Sequence, residues 1–341
     1  MMMTRVLAFA ARAAALGGLL PVLDRADRWR PNLLRVLTYH RVARRADWPA
    51  VPSALISATP ETFEQQLTWL ADRYHVVSLQ EVLHAQRTRA ALPPRSVLIT
   101  FDDGYRDFAE LAWPILKRHR LPVTMFVPTG FPDQPERRFW WDRLHEAVQR
   151  ATQAQVDTPL GRLALTSATQ RRPVLARLTR FVRCNAHDHA MAWIDRICTQ
   201  LGSPWPDHGV LTWSELRRLS SEGVTLAAHT RTHPLLNRVS PARARAEVIE
   251  SVEDLEREVG PVPPVFAYPG GAFNEEVVTM LRREGFSLAF TTGHGINDMR
   301  IADPLRLRRI NVGHNTTREL LWTRLLSWSL HFNRWRPLPD C

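Results

Sequence analysis

One apolar stretch that ends in two adjacent carboxylates constrains the fold of this 341-residue chain more than any other feature. Residues 97–101 have the length and composition of a buried strand, and Asp102, Asp103 and Gly104 follow them directly. A buried parallel strand is a continuous apolar run that delivers polar residues to the rim of the sheet at its carboxyl end. The stretch therefore predicts a parallel β-sheet with a functional site at that edge.

A second apolar stretch, residues 224–228, ends in a pair of histidines, His229 and His233. The carboxyl ends of parallel strands meet at one edge of a sheet, so the histidines and the carboxylates are expected to lie together. One aspartate and two histidines form a ligand set that first-row divalent metals accept while a position stays open for water. The two stretches together predict a catalytic metal site.

The alternation of predicted strands and helices indicates an α/β fold in which crossover helices connect parallel strands. Residues 131–206 interrupt this alternation, because residues 171–201 are arginine-rich and helical in pattern, and no strand-like run occurs there. They are predicted to form an inserted helical segment that roofs or flanks the site. Its aromatic cluster at residues 139–141 either packs in a core or stacks on sugar rings.

Both ends of the chain have amphipathic patterns. Residues 1–32 are predicted to form an interfacial or packing helix, since Arg5 and Arg12 interrupt an apolar stretch that is shorter than the ~20 residues of a membrane span. Secretion stays open as an alternative. Residues 316–341 form a helix and tail rich in tryptophan, leucine and arginine, which either lies in a membrane interface or closes the bottom of the fold. Residues 33–315 remain as the main domain.

The net charge of +11 comes mainly from arginine. It suits an anionic partner such as a membrane surface, a lipid-linked phosphate or an acidic glycan, although solvated arginine faces explain it equally well. Nucleic acid is discounted, because the arginines are spread over helical stretches without a recognised binding motif. The chain has three cysteines, Cys184, Cys198 and Cys341, and this odd number does not suggest a disulfide framework. We therefore predict reduced thiols and a cytoplasmic protein that is peripheral at the inner membrane face. The sequence does not indicate the oligomeric state.

The two site-forming stretches also resemble a known family. Residues 100–104 read Thr-Phe-Asp-Asp-Gly and residues 229–234 read His-Thr-Arg-Thr-His-Pro, which are similar to the first two motifs of the polysaccharide deacetylases, also called NodB-homology or carbohydrate esterase family 4 proteins. Their joint occurrence is far more specific than either motif alone. The resemblance covers about residues 33–315. It implies a distorted (β/α) barrel and a metal-dependent hydrolase that removes N-acetyl groups from amino sugars of a polysaccharide or its lipid-linked precursor.

The resemblance also implies a role for each polar residue of these two motifs. Asp102 is the general base that accepts a proton from the attacking water. Asp103, His229 and His233 hold a divalent metal, for which Zn²⁺ is expected and Co²⁺, Ni²⁺ or Mn²⁺ are alternatives. Thr230 is the hydroxyl that braces the histidine loop.

The third family motif is matched only in part, at residues 266–271. Gly270 falls where the family uses a backbone N–H for the oxyanion, and it is assigned with Tyr268 to oxyanion or substrate binding. Phe266 and Ala267 stand where an arginine often steers the catalytic base. That arginine is therefore missing or is supplied from elsewhere in the chain.

The general acid is not fixed by the motifs, because a Leu-x-His motif of many family members reads Leu-Arg-Arg at residues 307–309. His314, His294 and His40 are the candidates, and chain position favours His314. Either arginine of residues 307–309 could instead bind an anionic part of the substrate.

His40 follows Tyr39 at the end of the first predicted strand, where it is either simply hydrogen-bonded or in contact with substrate. A Tyr-His pair at this place is common in family members that act on exopolysaccharides, so an exopolysaccharide is favoured over chitin or peptidoglycan. Deformylation or O-deacetylation of a sugar and a non-catalytic carbohydrate-binding barrel remain alternatives. A pure binding protein has no need for an open metal position, which argues against the last one.

Overall fold

A computed structural model describes residues 18–44, 46, 55–134, 137–202 and 209–327. The strands, in chain order, are β1 (Leu33–Tyr39), β2 (Arg41–Val42), β3 (Ile56–Ala58), β4 (His75–Val76), β5 (Ser96–Asp102), β6 (Thr124–Val127), β7 (Gln155–Thr158), β8 (Gly161–Ala164), β9 (Thr225–Ala228), β10 (Val265–Ala267), β11 (Leu288–His294), β12 (Asn297–Asp298) and β13 (Leu307–Asn311). The α-helices are α1 (Leu19–Asp27), α2 (Pro60–Arg73), α3 (Leu79–Thr88), α4 (Trp113–Arg118), α5 (Trp140–Arg150), α6 (Ala168–Cys184), α7 (His187–Leu201), α8 (Trp213–Ser221), α9 (Pro241–Val259), α10 (Glu275–Arg283) and α11 (Arg318–Leu325).

Within these ranges, seven parallel strands close into a barrel. The order around the ring is β1, β5, β6, β9, β10, β11 and β13, and β13 pairs with β1 to complete it. β4 adds to β5 outside the ring, and β12 pairs with the start of β1 in antiparallel direction. Helices occupy the connections, because parallel strands cannot be joined by tight turns. The predicted distorted (β/α) barrel is confirmed.

Local sequence signals explain where the helices begin. Thr59 caps α2 by accepting a hydrogen bond from the N–H of Thr62, and a proline occupies the first turn of that helix. Ser78 and Glu81 form a reciprocal capping box at the start of α3. Phe63 and Leu67 then bury one face of α2 against the barrel.

Alternate strand residues face the barrel interior and the surrounding helices, because successive side chains of a strand point to opposite sides. In the interior, the ring of Phe126 in β6 lies 5.4 Å from that of Phe290 in β11, a strand three places away around the ring. Leu98 of β5 belongs to the same buried cluster. Asp102 is four residues after Leu98 in the same strand, so its side chain also points to the barrel interior. Because Asp102 is the last residue of β5, it lies at the opening of the barrel at the carboxyl ends of the strands.

An inserted segment separates β6 from β9 in the chain. Helices α5, α6 and α7 pack around a buried cluster of their own, which includes Leu144, Leu178 and Ile194. Residues 171–201 contain no strand, as expected, but the predicted helical segment also includes an antiparallel hairpin of β7 and β8, which lies between α5 and α6 in the chain. Only Val156 is an apolar anchor in the short β7, which is why the sequence pattern did not reveal it.

The described parts of both chain ends cover the amino-terminal end of the barrel, opposite the site. Asp27 of α1 forms a buried ion pair with Arg35 of β1, and the same arginine donates from Nε to the carbonyl oxygen of Leu325 at 2.5 Å. Trp322 of α11 donates to Asp24 of α1 at 3.3 Å. The membrane-interface predictions concern mainly residues 1–17 and 328–341, which lie outside the described residues. None of the helices in the described ranges is long and apolar enough to cross a membrane.

The prediction of three reduced thiols is wrong for Cys184, which is disulfide-bonded. Cys198 is free and buried in the core of the inserted segment. Burial there raises the pKa of its thiol to about 11. The cytoplasmic location and the division of the chain at residues 33 and 315 stay predictions.

Candidate metal centre

A cleft of about 340 Å³ opens at the carboxyl ends of the barrel strands. One side, called the barrel wall here, is formed by His40, Asp102, Asp103, His229, His233, Leu235, Gly270 and Thr292. The other side, called the insertion wall, is formed by Trp140, Trp141, Leu144, His145, Leu175, Ala176, Thr179 and Arg183. Leu55, which precedes β3, also lines the cleft. The predicted roof over the site is thus provided by α5 and α6.

Asp103, His229 and His233 converge at the bottom of this cleft, although β5 and β9 are far apart in the chain. The Nε2 atoms of His229 and His233 lie 3.6 Å and 3.4 Å from Oδ1 of Asp103. One ligand atom from each of the three residues can be chosen so that all lie within 4.8 Å of one another. All three side chains are buried, so the arrangement is a compact donor set with little solvent screening.

The hydrogen bonding of His229 shows which of its ring nitrogens faces the centre as an acceptor. Its Nδ1 lies 2.7 Å from the carbonyl oxygen of Ala267, and a carbonyl can only accept, so Nδ1 carries the hydrogen. The other ring nitrogen, Nε2, then lies toward Asp103. Oδ1 of Asp103 itself accepts no hydrogen bond within the described ranges. A divalent cation would satisfy these facing lone pairs, and the donor set therefore fits a metal.

The protonation states also suit a metal. Burial alone would raise the pKa of Asp103, but the neighbouring His229 and His233 hold it well below its ordinary value. Burial lowers the pKa of His233 and outweighs the opposing effect of Asp103. An ionised carboxylate and a neutral imidazole are the forms in which these side chains bind a metal.

The backbone at the centre is strained at three non-glycine residues. Asp103, Thr230 and His233 have φ values of 74°, 64° and 59°, in the left-handed region. Such conformations cost on the order of 1–3 kcal/mol each and persist only where the surrounding structure enforces them. The hydroxyl of Thr230 donates to the carbonyl oxygen of His229 at 2.5 Å and accepts from the N–H of His233 at 3.0 Å. Thr230 thus braces the loop between the two histidines, as its motif position implied, and does not line the cleft.

A glutamate from α9 also holds the histidine loop. The carboxylate of Glu247 accepts from the N–H of Thr232 at 2.7 Å and from the N–H of Arg231 at 3.0 Å. It also accepts a hydrogen bond from the hydroxyl of Thr232. Sequence reasoning missed Glu247, because it is one of several glutamates on a polar helix and nothing in the pattern separates it from the others.

Asp102 lies beside the centre in a bidentate ion pair with Arg309 of β13. The two terminal nitrogens of Arg309 donate to Oδ1 and Oδ2 of Asp102 at 2.8 and 2.7 Å, and its Nε donates to the carbonyl oxygen of Thr291 at 2.8 Å. Burial acts to raise the pKa of Asp102, but the Arg309 guanidinium brings it below the ordinary value. The arginine that the third motif lacks is therefore supplied by β13. Arg309 is fully buried, and the suggestion that it binds an anionic part of the substrate is wrong.

Gly270 lines the cleft in a left-handed conformation with φ 57°. A side chain there would meet Cδ2 of Leu235 at 2.9 Å, so a substitution would be strained and crowded. Its N–H donates to no acceptor in the described part of the chain, whereas its carbonyl oxygen accepts from Thr292 at 3.2 Å. The free N–H agrees with the predicted oxyanion role.

The remaining predicted site residues fall in different places. Tyr268 is buried, and its hydroxyl donates to the carbonyl oxygen of Leu305 at 2.8 Å, so its assignment to substrate binding is corrected to a structural one. His314 is exposed and lines a separate groove beside α2, away from Asp102 and Asp103. His294, at the end of β11, is exposed and does not line the cleft. Of the three candidates for the general acid, the structure brings His40 to the cleft.

The aromatic cluster at the start of the insertion packs in a core through Phe139 and lines the cleft through its two tryptophans. Phe139 is buried and stacks on Trp141 with ring centroids 4.5 Å apart. Trp141 is only half-buried, contacts the ring of His233 at 4.7 Å and donates to the hydroxyl of Tyr105 at 2.9 Å. Trp140 and Trp141 both line the cleft. Core packing by Phe139 therefore positions an aromatic surface beside the metal ligands.

Residues 89–289, more than half of the chain, match the family model described as polysaccharide deacetylase. The poly-β-1,6-N-acetyl-D-glucosamine N-deacetylase of Escherichia coli K12 is 24% identical over 274 residues, which are 79% of this chain and 35% of that protein. The enzyme of the same name from Staphylococcus aureus MSSA476 is 33% identical over 113 residues, 30% of this chain and 38% of its own length. The chain thus matches little more than a third of either curated relative.

Solved structures show the same fold. The Streptococcus pyogenes deacetylase PplD, in complex with acetate, superposes with a TM-score of 0.59 at 23% identity, covering 87% of this chain and 99% of that one. IcaB from Ammonifex degensii superposes with a TM-score of 0.56 at 20% identity, covering 89% and 99%.

Proposed function

Because this chain belongs to the polysaccharide deacetylase family, we propose that it is a metal-dependent hydrolase that removes N-acetyl groups from amino sugars of an exopolysaccharide or its lipid-linked precursor. The convergence of Asp103, His229 and His233 beside Asp102 is the observation that carries this proposal. The curated relatives named above support a substrate that contains β-1,6-linked N-acetylglucosamine.

Asp103, His229 and His233 would hold the metal through one carboxylate oxygen and two imidazole nitrogens. A divalent cation in such a site lowers the pKa of water and polarises an acyl oxygen. The ligands are in the protonation states that metal binding requires. Near neutral pH, Asp103 is ionised and His233 is neutral, because the pKa of each is lowered in the folded protein.

Asp102 accepts the proton that the attacking water loses. It stays ionised at neutral pH, because Arg309 outweighs the effect of burial on its pKa. The bidentate contact with Arg309 also fixes the plane of the carboxylate. Each carboxylate oxygen has a further lone pair with which Asp102 can face the water.

His40 supplies the proton that the leaving amine needs. It is half-buried at the end of β1, its N–H is fixed by the hydroxyl of Ser57 at 2.9 Å, and its side chain lines the cleft. The backbone N–H of Gly270 donates to the acyl oxygen as negative charge develops there. General base, general acid and oxyanion donor thus surround one reacting carbon.

The proposal is tested by measuring acetate release from β-1,6-linked N-acetylglucosamine oligomers with protein loaded with Zn²⁺, Co²⁺, Ni²⁺ or Mn²⁺. Activity with at least one metal, lost on chelation and restored on readdition, is expected. Formate release from an N-formyl sugar in place of acetate release would reassign the protein as a deformylase, and activity on O-acetyl esters alone would make it an O-deacetylase. Glycan binding without any released acid would identify a non-catalytic barrel.

A further inference from the structure

The insertion wall contributes a strongly basic helix to the cleft. Between Ala168 and Cys184, helix α6 carries five arginines and neither aspartate nor glutamate. Most of these arginines are exposed on the outer faces of the helix. Arg183, in the last turn, is exposed as well, but it lines the same cleft as Asp103, His229 and His233.

Arg183 is also unlike the deeply buried arginines of the barrel. Arg35, Arg41 and Arg309 each pair with an aspartate. Within the described ranges Arg183 forms no ion pair, and Asp102, a carboxylate of the same cleft, is already neutralised by Arg309. Partial burial lowers the pKa of the Arg183 guanidinium, and no carboxylate acts against that shift. The cleft therefore presents a guanidinium whose charge nothing in the described chain balances.

The position of Arg183 is linked to that of the metal ligands. Its carbonyl oxygen accepts a hydrogen bond from Nε of Arg238 at 2.9 Å, and Arg238 follows the histidine loop by five residues. Leu235, between His233 and Arg238, lines the cleft as well. The end of α6, which carries Arg183, is therefore held beside the segment that follows His233.

We infer that Arg183 binds an anionic group of the substrate, a phosphate or a carboxylate on the unit next to the acylated amino sugar. A guanidinium binds either group through two parallel N–H donors. This inference rests on the proposed function for the identity of the neighbouring sugar. The apolar residues beside Arg183, such as Trp140 and Leu175, contact uncharged parts of the substrate and leave the arginine as the cationic side chain of the insertion wall.

Binding is measured first, with ligands that cannot be hydrolysed. Titration calorimetry compares methyl glucoside, glucose 1-phosphate, cellobiose and a glucose–glucuronic acid disaccharide on the full-length, Zn²⁺-loaded protein. At least one anionic ligand is expected to bind about tenfold more tightly than its neutral counterpart. The substitution Arg183→Gln is expected to remove that preference, whereas Arg183→Lys retains part of it. Arg177→Gln, on an exposed position of the same helix, is the matched control and is expected to change nothing.

Kinetics then compares kcat/KM for acetate release from the corresponding N-acetylated substrates. A preference for the phosphate over the carboxylate would indicate a sugar phosphate or lipid-linked precursor, and the reverse would indicate an acidic glycan. Equal kcat/KM for neutral and anionic substrates in the unmodified protein would refute the inference and leave the hydrolase intact. Arg183-dependent anion binding without any acetate release would refute the proposed hydrolysis and leave the anion site.

An anionic lipid surface is the alternative ligand for the arginines of α6. Binding of the protein to vesicles of phosphatidylglycerol and phosphatidylcholine tests this alternative. If Arg177→Gln and Arg183→Gln weaken vesicle binding equally, and neither affects sugar phosphate binding, the helix serves a membrane and the inference is overturned. Loss of glucose 1-phosphate binding in Arg183→Gln alone supports it.

Discussion

The two walls of the cleft are built by different means. On the barrel wall, polar groups occupy buried positions that several hydrogen bonds define at once, as for Asp102 with Arg309 and for Thr230 with the histidine loop. On the insertion wall, an independent apolar cluster holds α5 and α6, and most of the side chains that reach the cleft are half-buried or exposed. We therefore expect the barrel wall, where several hydrogen bonds fix each polar group, to carry out the chemistry. We expect the insertion wall, where fewer contacts fix the side chains, to select the substrate.

The largest effect is expected from Asp103→Asn, which removes the anionic ligand of the barrel wall. Loss of a metal's catalytic contribution of several kcal/mol corresponds to a fall in kcat/KM of about a thousandfold or more. Metal content by elemental analysis and acetate release check this result. Asp157→Asn, at an exposed ion pair with Arg162 in the β7–β8 hairpin, is the control and should retain both. Full metal content with full activity in Asp103→Asn would remove the basis of the proposed mechanism.

The second prediction concerns the ion pair that is hidden behind the barrel wall. Arg309→Gln leaves Asp102 buried without its partner, and such a change lowers the free energy of unfolding by about 3–5 kcal/mol. Chemical denaturation measures the change. Arg300→Gln, which removes an exposed pair with Asp298, should leave the denaturation midpoint unchanged. A midpoint in Arg309→Gln equal to that of the unmodified protein would show that the barrel wall is less tightly determined than the contacts indicate.

The third prediction concerns the seam between the two walls. Burial raises the pKa of Asp142 in α5 to about 6, despite Arg41 nearby and the hydrogen bond from Tyr105. The folded state thus binds this proton more tightly than the unfolded state, so the associated stability is present at low pH and is lost as pH rises through about 6. Asp142→Asn mimics the protonated form. It should raise the free energy of unfolding by roughly 2–3 kcal/mol at pH 8 and by about half as much at pH 5.

Thermal unfolding at the two pH values checks the Asp142 prediction. Asp195→Asn, an exposed aspartate of α7 paired with Arg143, is the matched control and should show no such pH dependence. An Asp142→Asn protein that is less stable than the unmodified one at pH 8 would mean that the ionised carboxylate holds the insertion on the barrel.

The fourth prediction tests the support of the histidine loop. Glu247→Gln removes the charge that orients the N–H groups of Arg231 and Thr232, and the metal dissociation constant is expected to rise about tenfold. Competition with a metal chelator measures it. Glu250→Gln, which pairs with the side chain of Arg231 on the surface, should leave metal affinity unchanged. An equal rise of the metal dissociation constant in both variants would mean that metal affinity depends on Arg231 and not on the hydrogen bonds to the loop backbone.

The smallest effect is expected on the insertion wall. Leu175→Ala removes apolar contact with substrate and leaves every barrel-wall residue in place, so KM should rise a few-fold while kcat is unchanged. Leu160→Ala, at an exposed leucine of the β7–β8 turn, serves as the control. A fall in kcat with constant KM would contradict the division of labour between the two walls.

The motif residues were predictable because their placement follows from short-range rules. An apolar run of strand length fixes where Asp102 and Asp103 emerge, and parallel strands bring His229 and His233 to the same edge. The general acid was not predictable in this way. His40 and His314 each follow a strand, and chain position alone does not say which of them faces the cleft.

The sequence by itself determined the α/β barrel and the aspartates and histidines at its carboxyl end, because strand period and motif spacing are local properties of the chain. The tertiary structure alone decided that Arg309 supports Asp102 from 207 residues away, and that Glu247 holds the histidine loop. It also decided that Arg183 lines the cleft that contains the metal ligands. These pairings arise from ring closure, from the packing of α6 over the cleft and from the packing of α9 against the histidine loop. The periodicity of one segment carries no information about which distant side chain it will meet.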